Sequence, residues 1–133
     1  GHVFVLDGTE AWERHPAGLL ESEASGTAIA RRTGAPAADA DLEIRTGAGT
    51  LVGRAVASVA NLLDLRLAVV AGSVALGYGE PFFAAAQAEV DRLCHLEFSA
   101  GTRIVPAGLG DAGPLVGAAA VSLRARGADI GIV

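Results

Sequence analysis

Two short apolar runs constrain this chain most: Leu67-Ala68-Val69-Val70-Ala71 and Arg103-Ile104-Val105-Pro106. Each is too short for a helix, and each runs into a glycine-rich connection and then a helix-like segment. A continuous apolar run fits a strand covered on both faces, as in a parallel sheet. Before the first run, Thr50 to Asp64 repeats apolar residues at helical spacing (Leu51, Val52, Ala55, Val56, Val59, Leu62, Leu63), with Thr50 as N-cap. Glu80-Pro81 opens a second helix to about Leu96, and Pro114 opens a third to about Arg126. The order helix, strand, helix, strand, helix predicts an α/β fold, and right-handed crossovers make the two strands parallel.

The first fifty residues read less regularly. His2 to Leu6 reads as a strand ended by the turn signal Asp7-Gly8. Thr9 to Pro16 is irregular. Gly18 to Arg32 is helix-like but broken at Ser25-Gly26, which predicts two pieces meeting at a kink. Thr33 to Asp41 reads as a loop. At the other end, Asp129 to Val133 reads as a tail or an edge strand.

Composition narrows the function classes. All ten Lys/Arg positions are Arg, so a Walker-type lysine, a Schiff base and a lysine general base are excluded within these 133 residues. With no Met and Gly at position 1, the chain reads as a segment of a longer protein. The net charge of −5 argues against a nucleic-acid surface through this segment. No apolar run reaches the length of a membrane span, so no membrane partner is expected. Cys94 is the only cysteine, which excludes an intrachain disulfide and fits a reducing, cytoplasmic compartment. Cys94, His95 and His15 do not form a metal set, because adjacent helical residues point to different sides.

Two connections are candidates for ligand contact. Gly72 to Gly79 (GSVALGYG) follows a strand and precedes a helix, where glycine lets backbone approach a ligand and a helix start favours anions. The same residues also suit a tight turn with positive φ. Gly108 to Ala120 (GLGDAGPLVGAAA) repeats the design. There, Gly117, Ala118 and Ala120 are expected to pack a helix closely on a neighbour.

In this order the segments resemble the ROK family of repressors, open reading frames and sugar kinases. Gly1-His2-Val3 looks like the end of the family's E-x-G-H motif, and Gly18-Leu19-Leu20-Glu21 looks like its G-C-L-E, with Ser25-Gly26 following. Asn61-Leu62-Leu63-Asp64 resembles the family's NLLDP. Val69 to Ala75 resembles VVLGGGVA, and Gly108 to Ala120 resembles the closing LG-x-x-AG-x-x-GAA. The resemblance implies the C-terminal lobe of an actin-like ATPase (ribonuclease H-like) fold, incomplete at its N-terminal side. Residues 1–133 form on this reading a single domain, the C-terminal portion of a two-lobed protein.

What the resemblance implies about function follows residue by residue. The intact protein is expected to be an ATP-dependent, glucokinase-like hexose kinase using ATP and Mg²⁺. His2 and Glu21 are implied to bind the sugar; Gly72, Ser73 and Gly110 are implied to lie on the nucleotide side. The catalytic Asp and the phosphate loops are expected upstream, so this segment alone is expected to be inactive. The family's structural zinc is expected to be absent, because Trp12, Arg14 and Leu19 stand where its cysteines belong. The resemblance also implies a homodimer. If the lobe's sheet includes upstream strands, this segment exposes an edge that pairs with another chain. The alternatives are the effector domain of a sugar-responsive ROK repressor and a degenerate, non-catalytic lobe.

Overall fold

A computed structural model of the chain describes residues 19–129 and 131. The strand expected at His2 to Leu6 and the expected sugar contact His2 lie outside them. So do Trp12 and Arg14, two of the three positions on which the zinc expectation rests. The elements run α1 (Leu20–Ala24), α2 (Gly26–Thr33), α3 (Leu42–Leu63), β1 (Leu67–Val70), α4 (Ser73–Tyr78), α5 (Glu80–Leu93), β2 (Arg103–Pro106) and α6 (Gly113–Ala125). Single 3₁₀ turns at Ala37–Asp39 and Gly110–Ala112 precede α3 and α6.

The strands pair in parallel, with Ala68 opposite Ile104 and Val70 opposite Pro106. The mixed α/β class expected from the alternation is therefore present: the described residues are mostly helical, with a two-stranded parallel sheet. The kink is present as well. Ser25 separates α1 from α2, and its hydroxyl accepts the Ala28 N–H at 3.2 Å, capping α2. The helix ends on Gly34 in the left-handed region (φ 71°), whose N–H reaches Ala30 O.

α3 departs from the sequence expectation. It begins at Leu42, not after Thr50, because Asp41 is the better cap: its Oδ1 accepts the Ile44 N–H at 2.9 Å. Thr50 lies inside the helix, its hydroxyl bonded to Thr46 O at 3.0 Å. Two glycines of this helix have a packing role. A Cβ on Gly49 would fall on the Phe82 carbonyl oxygen, and one on Gly53 would lie 2.5 Å from Ala86 O. α3 and α5 therefore touch backbone to backbone, with Ala48, Ala57, Ala60, Ala86 and Val90 completing a seam of mostly small residues.

Two apolar clusters flank this seam. One gathers Ile29, Ala48, Ala75, Tyr78 and Phe82, with Val70 of β1 against it. Within it the Tyr78 hydroxyl donates to Ala37 O at 2.7 Å, and the Arg45 guanidinium lies 5.4 Å from the Tyr78 ring centroid. The other cluster holds Ala57, Ala60, Val90 and Cys94. Beside it Ser99 and Thr102 are fully buried but satisfied. The Ser99 hydroxyl donates to Asn61 Oδ1 (2.6 Å), Asn61 Nδ2 donates to Leu93 O (3.1 Å), and the Thr102 hydroxyl sits 2.7 Å from Leu65 O and from Ser99 O.

Two further expectations fail among the described residues. β1 is not covered on both faces: Leu67 and Val69 are 51% and 59% exposed. The helices lie on the Ala68 and Val70 side, where Val70 meets the first cluster and Ile104 of β2 is buried. The close packing expected of Gly117, Ala118 and Ala120 is likewise not made. α6 has no buried residue, and nothing lies within 4 Å of a Cβ built on Gly117. The small-residue contact of this fold is made by α3 instead. Among the described residues no helix is long and apolar enough to cross a membrane.

The α3–α5 contact also holds a buried charge. Glu89 is 7% exposed. It accepts from Arg54 Nε of α3 at 2.7 Å and from Arg92 Nε and Nη2 at 2.8 and 2.9 Å. The hydrogen bonds from Arg92 lead in holding its carboxyl at about 2, against an ordinary value of 4.5, while burial opposes them. Arg54 contributes in the same direction. The carboxylate is thus favoured in the folded state, so its stabilising contribution is complete above pH 4.5 and is lost as pH falls towards 2.

Two predictions follow from this packing. Gly49→Ala is expected to destabilise the fold by about 1–3 kcal/mol through overpacking. Gly47→Ala, in the same helix with open space around its Cβ, should gain up to about 1 kcal/mol of helix propensity. Urea unfolding of the two variants measures the opposite signs. Separately, Glu89→Gln should cost about 1–3 kcal/mol at pH 7. Its stability should then fall less steeply than the parent's between pH 4.5 and 2, read from unfolding midpoints across that range.

Candidate functional site

Parallel strands place their C-terminal ends side by side, and the connections leaving those ends form a crevice. Here β1 leads into Ala71, Gly72 and Ser73, and β2 into Ala107 to Gly113. Gly72 has φ 112° and Gly110 has φ 50°, conformations that side chains other than glycine rarely adopt. Neither position has an atom within 4 Å of a built Cβ, so the requirement for glycine comes from backbone conformation and not from crowding.

A cavity of about 600 Å³ lies between the two connections. Gly72, Ser73 and Gly110, the three residues expected on the nucleotide side, all line it. Its walls are otherwise apolar, supplied by Val69, Leu76, Leu109 and Pro114. A second cavity, of about 300 Å³, lies on the other side of the β1 connection. Leu20, Glu21 and Ala24 of α1 form one wall, and Val52, Val70 and Phe82 form the floor. Ala71, Gly72 and Ser73 border both cavities. Glu21, expected at the sugar, is exposed at the start of α1 and borders the second cavity.

The structure therefore brings Glu21, Gly72, Ser73 and Gly110 to one end of the sheet, although 89 positions separate the first from the last. His2 lies outside the described residues. The glycine-rich connection from Gly72 to Gly79 contains a helix that its composition did not predict. Ser73 to Tyr78 form the short helix α4, buried through Ala75 and Tyr78. Six residues are too few to offer the dipole of a long helix, so this connection presents backbone and the Ser73 hydroxyl.

Two residues near the site escaped sequence reasoning. Leu76 and Leu109 supply apolar walls that glycine counting does not register. The only cysteine, Cys94, is buried in the second cluster, away from both cavities. Among the described residues no three His, Cys, Asp or Glu side chains gather as a metal-binding group.

Comparison with family models, with curated proteins and with solved structures finds no match to this chain.

Gly72→Ala tests the local backbone. Forcing a Cβ into this φ is expected to cost about 1–3 kcal/mol. Gly77→Ala, within α4 and also without a neighbour at its Cβ, should be neutral or stabilising by up to about 1 kcal/mol. Thermal unfolding of the pair checks this.

Proposed function

We propose that this chain is the C-terminal part of a ROK-type, ATP-dependent hexose kinase. One observation carries the reading. The residue implied at the sugar, Glu21, and those implied at the nucleotide, Gly72, Ser73 and Gly110, line two adjoining cavities that share a single strand-to-helix connection. A donor and an acceptor for phosphoryl transfer need that proximity, because the reaction is mostly positioning and charge stabilisation.

In this reading the larger, apolar cavity takes the adenosine, with the Gly72 and Gly110 backbones close to it and Leu76, Leu109 and Pro114 against the ring. The smaller cavity takes the hexose, and the Glu21 carboxylate accepts from its hydroxyls. Mg²⁺ accompanies ATP. The reading brings with it a cytoplasmic location and a sugar as partner. The Asp that accepts the proton of the attacking hydroxyl, and the loops that hold the phosphates, are assigned to a part of the protein before Gly1. His2, the other residue implied at the sugar, lies outside the described residues.

The cysteine replacements at Trp12, Arg14 and Leu19 favour a second reading, a degenerate lobe that has lost sugar binding. Calorimetric titration separates the two. The kinase reading expects a hexose (glucose, mannose or their N-acetylamino forms) to bind the intact protein. Glu21→Gln should weaken that sugar at least tenfold and leave ATP binding unchanged. Binding of ATP with no binding of any of these sugars would favour the degenerate lobe. Binding of neither would sink the kinase reading. The isolated 133 residues should transfer no phosphate from ATP to glucose, measured by a coupled ADP assay.

A further inference from the structure

One wall of the larger cavity is tied to the rest of the fold through β2. Ala107 to Pro114 form this wall and lead from β2 into α6. Among the described residues the hydrogen bonds inside the connection are local: the Gly110 N–H donates to Ala107 O, and the Ala112 N–H to Leu109 O. Leu109 is exposed, and α6 buries no residue. The wall therefore takes its position from the strand.

β2 is short, and a pair of strands is marginal by itself in water. It is held from both sides. Towards β1, the Arg103 N–H donates to Arg66 O and the Ala107 N–H to Val70 O, each at 2.9 Å. In the parallel register these bonds leave Thr102, Ile104 and Pro106 facing away from β1. One side chain of α5 seals that outer side. Gln87 Oε1 accepts the Ile104 N–H at 2.9 Å, and Gln87 Nε2 donates to Thr102 O at 3.0 Å. Nε2 also donates to Asp91 Oδ1 at 2.7 Å, and a carboxylate, which only accepts, fixes which end of the amide carries the nitrogen. Pro106 has no N–H to satisfy. Gln87 is placed in its turn by the α3–α5 seam: it follows Ala86, whose carbonyl lies against Gly53.

We propose that Gln87 is a positioning residue for the larger cavity. Its amide carries the position of the seam to β2, and so sets how far the wall from Ala107 to Pro114 stands from Gly72, Ser73 and Leu76 across the cavity. Dispersion contact falls steeply with separation, so a small outward drift of one wall weakens a ring held between two. The smaller cavity draws none of its lining from β2 or from the connection after it. The effect of Gln87 is therefore confined to the larger cavity. The assignment of ATP to that cavity rests on the kinase reading; the placing of the strand does not.

Gln87→Met keeps the approximate shape of the side chain and removes its donor and its acceptor. Hydrogen exchange of single amides, read by NMR in the 133-residue chain, should speed up at Arg103 and Ala107 by about tenfold relative to Val90. Those two amides bond to β1 and not to Gln87, so they report the strand and not the lost bond. The proposal is overturned if only Ile104 speeds up, or if Arg103, Ala107 and Val90 speed up equally. Should the variant fail to fold, the parent decides. Its Ile104 amide, bonded to a side chain, should exchange as slowly as those of Arg103 and Ala107, and exchange at the rate of an exposed amide overturns the proposal. In the intact protein, Gln87→Met should raise the Kd for ATP about tenfold and leave that for the hexose within about twofold. Equal weakening of both, or of neither, overturns the proposal as well. A parent that binds no ATP defeats the kinase reading instead, and the exchange rates then decide whether Gln87 places the strand.

Discussion

The contact that the rest of this fold depends on is the approach of α3 to α5 without side chains between them. At Gly49 and Gly53 the backbone of one helix lies against the carbonyls of Phe82 and Ala86 on the other. Helices this close fix each other's position more tightly than helices separated by leucines, because backbone atoms cannot rotate out of the way. That contact sets where β1 emerges from α3 and where α5 returns to β2. The crevice at the strand ends is a consequence of the same geometry. Its two cavities draw on five separate stretches: 20–25, Val52, 69–76, Phe82 and 107–114.

The seam is largely apolar, and its one buried charge is Glu89, which takes two arginines. Arg54 reaches it from α3 and Arg92 from one turn along α5. A buried ion pair is weak evidence for stability, since desolvation offsets much of its Coulomb gain. Here its effect is on register. The charge requires Arg54 opposite Glu89, and Gly53 beside it requires the Ala86 carbonyl. A slide of one turn would take Arg54 away and leave the buried carboxylate with Arg92 alone. The hydrogen-bonded set of Asn61, Ser99 and Thr102 works in the same way at the far end of the seam, tying the exit of α3 to the loop that starts β2.

The strands, their parallel order and the helices opened by Pro81 and Pro114 were legible in the sequence. Short apolar runs and prolines in first turns act locally, so they read the same in any fold. The start of α3 was not legible. Gly47, Gly49 and Gly53 lower helix propensity, and only the partner helix reveals that two of them are needed for contact. α4 was hidden for a related reason: Gly72, Gly77 and Gly79 made the segment read as a glycine-rich connection, while Ala75 and Tyr78 anchor it in the core. The stripe of small residues in α6 misled in the opposite direction, since spacing shows that a helix could be approached closely and not that anything approaches it. At the site, the glycines with positive φ were legible as glycines. The proximity of Glu21 to Gly72 came only through resemblance, and Gln87 gave no signal, because a glutamine on a helix reads as a solvated residue.

Gln87 carries a consequence of its own. On the outer side of β2 its side chain stands in for a peptide unit: Oε1 accepts the Ile104 N–H at 2.9 Å, and Nε2 donates to the Thr102 carbonyl at 3.0 Å and to Asp91 Oδ1 at 2.7 Å. A glutamate in its place would be nearly the same shape but would keep only the acceptor. It would still receive the Ile104 N–H, while its second oxygen would face the Thr102 carbonyl, lone pair against lone pair. Hydrolysis of this one amide, a slow chemical ageing that needs no enzyme, would turn the seal into a repulsion. The contact with Thr102 thus depends on one side-chain nitrogen, and its lifetime is the lifetime of that amide.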